Sequence, residues 1–276
     1  MGGEVDFDHG AKMTRFTPVF LTVLTTSLLA HDMYLLPAKF RVTKGSKLSI
    51  AFHNGDSFPA SEVAPKVVRL LNPKVTGQGG LAPVTGLKES GKETLGETII
   101  PAEGTLLVSV QTAPNFIELE PKKFEAYLKE EGLSEVIEWR KQHGEAAKPG
   151  RERYSKYAKS LLQAGDPDGY FSHALGLPIE IIPLADPSMV KPGGMLPIRV
   201  LLRGKPAPGL QLETAWAYGT EQKTTPIGKT DAEGRIDVPI ARAGLWRLHS
   251  LKMERCAEPK AADWESFWAS LTFEIR

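Results

Sequence analysis

The chain has 276 residues, longer than most single domains, so two compact units of roughly 100 residues each are expected. A hydrophobic fraction of 41% and a charged fraction of 24% belong to an ordinary globular protein and argue against disorder. The 34 basic residues nearly balance the 33 acidic ones, for a net charge of +1, which argues against the extended basic surface of a nucleic-acid binder. The single cysteine, Cys256, forbids an internal disulfide and a Cys–Cys metal knuckle.

At the N-terminus, Lys12 and Arg15 flank the start of an apolar stretch over residues 16–29 that ends at Leu28, Leu29 and Ala30. This is the pattern of a secretory signal peptide cut after Ala30, with a buried helix as the alternative. The stretch is shorter than the roughly 20 residues of a spanning helix. Residues 1–30 are therefore read as leader and signal peptide, and the acidic leader 1–10 suggests that translation begins at Met13. The expected location is the periplasm or outside the cell, with no membrane span after cleavage.

Residues 31–120 are read as an N-terminal β-sandwich domain. Leu48, Ile50 and Phe52 alternate with Ser49, Ala51 and His53, the period of a half-buried strand. Residues 67–71 and 106–110 give further strands, and 54–59 and 77–80 give turns. Over residues 121–175, read as a helical linker, the period changes. Phe124, Tyr127 and Leu128, then Leu133, Val136, Ile137 and Arg140, lie at helical spacing, with Gly132 between two helices. Ser134 suits an N-cap and Gly144 a C-terminal stop. A third helix is predicted over 152–164, with Tyr154, Tyr157, Ala158, Leu161 and Leu162 on one face, Arg153, Lys156 and Lys159 on a solvated face, and Gly165 at its end. Residues 176–276 return to the strand period at 179–182, 198–202, 212–217, 236–240, 245–251 and 271–275, as a C-terminal β-sandwich domain. Hairpin-like turns fall at 204–209 and 230–234, where Asp231 and Gly234 supply turn chemistry. The predicted fold class is mainly β, two immunoglobulin-like sandwiches with a short helical insert.

Cleavage after Ala30 leaves His31 first, with an α-amine and an imidazole on one residue. Amine nitrogen and ring Nδ1 close a chelate ring, and imidazole suits copper, nickel and zinc. Asp32 and Met33 follow with a carboxylate and a thioether. Of the remaining histidines, His53 and His249 are the candidates to complete a metal site with His31; a plain surface terminus is the alternative. No catalytic template survives inspection. Gly228, Lys229 and Thr230 resemble the end of a phosphate loop, but Lys223 stands where its first glycine belongs. There is no Gly-x-Ser-x-Gly elbow and no His-Glu-x-x-His motif. Asp166, Asp168 and Gly169 make only half of a calcium loop and read as a polar loop. Paired carboxylates leave no local spacing, so glycoside chemistry stays open. Trp264 and Trp268, beside Phe267, read as packing rather than as a sugar platform.

Ala30, His31, Asp32, Leu36 and Pro37 are joined by residues 151–162 (Arg-Glu-Arg-Tyr-Ser-Lys-Tyr-Ala-Lys-Ser-Leu-Leu) and by residues 175–183 (Leu-Gly-Leu-Pro-Ile-Glu-Ile-Ile-Pro). Gly204, Lys205, Pro206, then Thr230, Asp231, Ala232, Gly234, Arg235 and Gly244, Leu245, Trp246 complete the pattern. Across nearly the whole mature chain these segments resemble the DUF4198 family of bacterial exported proteins, related to NikM-like accessory components of nickel and cobalt uptake. The last group also resembles modules of the carboxypeptidase-regulatory type. The resemblance implies a non-enzymatic periplasmic protein with sandwich domains. In the nickel components the amino terminus and a nearby histidine hold the metal; only His31 matches by position, and here it stands first rather than second, which leaves copper open beside nickel. With no membrane helices of its own, such a protein would deliver or sense. The expected function is an exported binding protein for a divalent transition metal (nickel, cobalt or copper) with an envelope or transporter partner. The alternative is an envelope protein- or glycan-interaction module without metal.

Overall fold

The computed structural model describes residues 1–3 and 31–276; the signal-peptide reading of 13–30 and the start at Met13 lie outside them. Nine strands come first: β1 (Met33–Pro37), β2 (Arg41–Val42), β3 (Lys47–Asn54), β4 (Leu70–Gly77), β5 (Gly80–Pro83), β6 (Thr85–Ser90), β7 (Glu93–Ile99), β8 (Gly104–Thr112) and β9 (Asn115–Leu119). Helices α1 (Pro121–Glu130) and α2 (Ser134–Gln142) follow, and then the long strand β10 (Gly150–Ala164). The remainder is β11 (Ile179–Pro183), β12 (Met195–Leu202), β13 (Lys205–Pro206), β14 (Gln211–Tyr218), β15 (Glu221–Lys229), β16 (Arg235–Pro239), β17 (Gly244–Arg255) and β18 (Trp264–Ile275). The protein is mainly β and built as a β-sandwich. Among the described residues no helix is long and apolar enough to cross a membrane.

A ten-stranded sheet in the order β15-β14-β17-β18-β10-β8-β4-β5, with β2 and β9 also pairing β10, forms the middle layer. One face carries the four-stranded sheet β1-β3-β7-β6 and the other the sheet built on β11, β12, β13 and β16. Alternation along each middle strand supplies both sides, since successive side chains point to opposite faces. On β10, Tyr157 and Leu161 enter the core beneath β11 and β12, whereas Ala158, Leu162 and Ala164 enter the core beneath β1 and β3. On β8, Leu107 joins the first core, and Leu106, Val108 and Val110 join the second. On β17, Trp246 and Leu248 face β11 and β12, so Arg247 and His249 face β1. A third cluster packs Phe124, Tyr127, Leu128 and Val136 of the helices on Trp264 and Trp268, which makes both tryptophans core residues.

The first two predicted helices are present, and Gly132 (φ +69°) separates them. Gly144 (φ +66°) follows the end of α2. Ser134 is not the N-cap: Leu133 takes that place without a side-chain cap, and the Ser134 hydroxyl instead meets Lys229. Residues 67–69 form a single 3-10 turn, and the strand expected there begins at Leu70. β15 was not foreseen, because its side chains are mostly exposed and polar and show no alternation.

The predicted third helix over 152–164 is a strand, so the helical linker assigned to 121–175 ends before Gly150. Arg, Glu, Lys, Ala, Leu and Gln favour a helix locally. Position in the sheet overrides that preference. β10 pairs parallel to β18 from Glu152↔Trp264 to Ser160↔Thr272 and antiparallel to β8 and β9. Both of its faces are covered, so its apolar residues do not alternate with solvated ones. Of the charges that imitated a solvated helical face, Lys156 and Lys159 are buried, and Arg153, partly exposed, pairs with Glu265. Lys159 meets Glu180 at 3.0 Å with each side chain 2% exposed, and Glu180 also accepts from the amides of Leu175 and Leu177.

Removing one member of such a buried pair leaves an uncompensated charge. Lys159→Met should therefore lower the unfolding free energy by about 3 kcal/mol in urea titration, and Lys159→Met/Glu180→Gln should recover part of that loss.

Candidate functional site

The site forms where the chain enters β1. Asp32 is 7% exposed. Its Oδ2 lies 2.6 Å from Arg247 Nη1 and its Oδ1 lies 3.2 Å from His249 Nδ1. Arg247, 1% exposed, also donates to Glu213 Oε1 at 2.7 Å, and its guanidinium sits 5.6 Å from the Tyr34 ring centre. His249 Nε2 lies 3.3 Å from Glu131 Oε2, just beyond α1, and the ring leans on Trp268 at 5.5 Å. Lys156 of β10 donates to the His31 carbonyl and, at 3.2 Å, to Asn54 Oδ1. Further along β1, Ser270 and Thr272 of β18 donate to the carbonyls of Met33 and Leu35, each at 2.6 Å. The terminal strand is thus held both by pairing with β3 and from beneath by polar side chains of the middle sheet.

His31 stands at the rim of this network. Its Nδ1 lies 3.0 Å from Asp56 Oδ2 and 3.7 Å from Glu62 Oε2. One ligand atom from each of His31, Asp56 and Glu62 falls within 4.8 Å of the others, a group able to surround a metal ion. Both acids come from the loop that follows β3, and several bonds hold that loop in shape. Gly55 N donates to Asp32 O at 2.9 Å, Glu62 N to Asn54 O at 2.8 Å, and Tyr34 Oη to Ala60 O at 2.7 Å. Asp56 N donates to Glu62 Oε1 at 3.1 Å, and Asp56 Oδ1 accepts from Asp32 N at 3.3 Å. A Cβ at Gly55 would stand 2.7 Å from Ala60 O, so the tight return of the loop needs glycine there.

The charges of the network are shifted strongly. Burial raises the Asp32 carboxyl, but Arg247 and then His249 pull it further down, and the net effect lies below its ordinary value. Burial alone would make His249 less basic; the Asp32 carboxylate and Glu131 outweigh it and lift the ring to about 9. Lys156 is pushed down to about 8 by burial, against the opposing pull of Asp32. Glu152, also facing this layer, is raised to about 7 by burial, with bonds from Ser266 and Tyr127 opposing. Removing this many ionised groups from water is costly, and such concentrations of shifted groups gather at functional sites.

The three candidate histidines occupy three different settings. His31 meets Asp56 and Glu62. His249 is committed on both ring nitrogens to Asp32 and Glu131. His53, 5% exposed, stacks on Tyr34 at 5.2 Å and lies 3.8 Å from Glu93; it lines a separate cleft of about 530 Å³ with Leu36, Arg41 and Arg276. Asp168 is occupied in the fold, its Oδ1 accepting from the amides of Thr105 and Tyr170, each at 3.1 Å. Thr230, at the end of the phosphate-loop lookalike, caps a turn by donating to Ala207 O and accepting from Leu210 N. Sequence reasoning missed Arg247, Glu131, Glu213 and Lys156. The alternation of Arg247 and His249 with Trp246 and Leu248 was the available signal for Arg247. Nothing local marks Asp56 and Glu62.

The sequence profile described as "Domain of unknown function (DUF4198)" matches residues 28–254. The chain belongs to the DUF4198 family. The match begins just before His31 and reaches past Arg247 and His249, so it takes in both ends of the polar network. No curated protein matches the chain at a significant level. Similar solved structures include a DUF4785 family protein of Legionella pneumophila, 8% identical with a TM-score of 0.26 over 78% of this chain and 52% of that one. Another is the Escherichia coli adhesin FdeC, 13% identical with a TM-score of 0.24 over 90% and 65%. A third is the D0–D1 domain of intimin, 13% identical with a TM-score of 0.23 over 88% and 98%. The chain spans about half the length of the Legionella protein and 65% of FdeC.

A group whose folded pKa is raised stabilises the fold most below its unfolded value and loses that contribution as pH climbs through the folded one. The stability difference between the wild type and His249→Gln should therefore shrink as pH rises from about 6.5 to about 9, measured by urea unfolding at each pH.

Proposed function

We propose that this protein is an exported, non-enzymatic metal-binding protein whose site is built on its mature N-terminus. The observation that carries the reading is the convergence of His31, Asp56 and Glu62 within 4.8 Å at the residue that signal cleavage after Ala30 would make the first. Cleavage would add the α-amine to the imidazole of the same residue. The resulting set of two nitrogens and two carboxylates suits a divalent transition metal of the copper, nickel or cobalt group. The ion is cargo, held at an exposed rim from which a transporter or another envelope protein could take it. The resemblance of the sequence to NikM-like components of nickel and cobalt uptake is in keeping with this reading, and a first-position histidine extends it to copper.

The test is a calorimetric titration of Cu(II), Ni(II) and Co(II) into protein whose intact mass begins at His31. The mature protein should bind a single ion, a form retaining Ala30 should bind it more weakly, and His31→Ala should abolish tight binding. Equal affinity in all three forms would sink the reading and leave the envelope interaction module.

A further inference from the structure

A histidine at a free chain end is normally a flexible chelator with two donors, and the carboxylates of a neighbouring loop meet it only by chance. Here the end is fixed from the far half of the chain. Asp32, adjacent to His31, is gripped by Arg247 and His249. The carbonyl of His31 is held by Lys156, and that of Asp32 by Gly55 N. The guanidinium is itself fixed on its other side by Glu213, and the imidazole by Glu131. Nothing in the local fold requires this. β1 is already paired with β3 along its full length, and an apolar residue at position 32 over apolar residues at 247 and 249 would fill the layer without the cost of burying charges.

We propose that Asp32, Arg247 and His249 are positioning residues, a grip that sets the first residue of the mature chain against Asp56 and Glu62 and so turns a two-donor terminus into a four-donor site. This rests on the metal-binding reading above. The grip touches no metal. It acts by holding the His31 backbone where its donors and the loop carboxylates share one focus, removing the ordering cost that a loose terminus would meet on binding. Groups that hold metal ligands in place typically change metal affinity roughly 10- to 100-fold when lost.

The probe is Cu(II), titrated against a competing chelator into mature protein beginning at His31, with the electron paramagnetic resonance spectrum recorded for each variant. Arg247→Met should bind copper roughly 10- to 100-fold more weakly. Its spectrum should shift to that of a free peptide beginning His-Asp-Met, because the terminus keeps its amine and imidazole but loses the loop carboxylates. Should the lone Asp32 charge prevent folding, Asp32→Asn/Arg247→Met neutralises both partners and carries the same expectation, with thermal unfolding confirming a folded state. A folded variant with wild-type copper affinity and spectrum overturns the grip, even if its melting temperature has fallen. Tight copper binding that His31→Ala removes while the grip variants leave it intact overturns the grip alone. A wild type indifferent to copper overturns this proposal together with the metal reading.

Discussion

The buried carboxylate of Asp32 is the contact on which the rest of the arrangement depends. It lies one residue from the start of β1, yet its partners Arg247 and His249 come from the opposite end of the sequence. A charge that deep is tolerable only when paired. The pairing therefore dictates what surrounds it: Glu213 to complete Arg247, Glu131 to complete His249, and the Trp268 and Tyr34 rings against the two cations. Each added group brings its own need for a partner, and the polar layer spreads until it meets the loop that carries Asp56 and Glu62. The rim site is the edge of a network whose centre is electrostatic.

That network can exist because the middle sheet is shared. An ordinary two-sheet sandwich keeps polar residues outward on every strand. Here β10, β17 and β18 have both faces covered, so one face can be largely apolar against β11 and β12, the Lys159–Glu180 pair apart, while the other presents Lys156, Arg247, His249, Ser270 and Thr272 to β1. Two kinds of interior lie back to back across one layer of backbone.

Much of this was legible in the sequence and some of it could not be. The alternation at Leu48, Ile50 and Phe52, the turn at Asp231 and Gly234, and the helical spacing of Phe124, Tyr127 and Leu128 each depend on neighbours in the chain, and each reappears in the structure. β10 was misread because the partners of its buried charges are distant in sequence: Glu180 for Lys159, the His31 carbonyl and Asn54 for Lys156, Ser266 and Tyr127 for Glu152. A charge at helical spacing reads as solvated unless the distant partner is known. For the same reason His31 could be singled out from the sequence, while Asp56, Glu62 and the residues that hold Asp32 could not.

The pairing of β10 with β18 bears on when the molecule can take shape. β18 is the last strand, and it supplies the hydroxyls that hold β1 across 237 positions of sequence. Neither interior can close while β18 is missing, because Ala269 and Leu271 line one and the Ser270 and Thr272 hydroxyls anchor the strand over the other. Contacts so distant in sequence form late and slowly. A chain of this design keeps both interiors open until strands from opposite ends of the described residues have met.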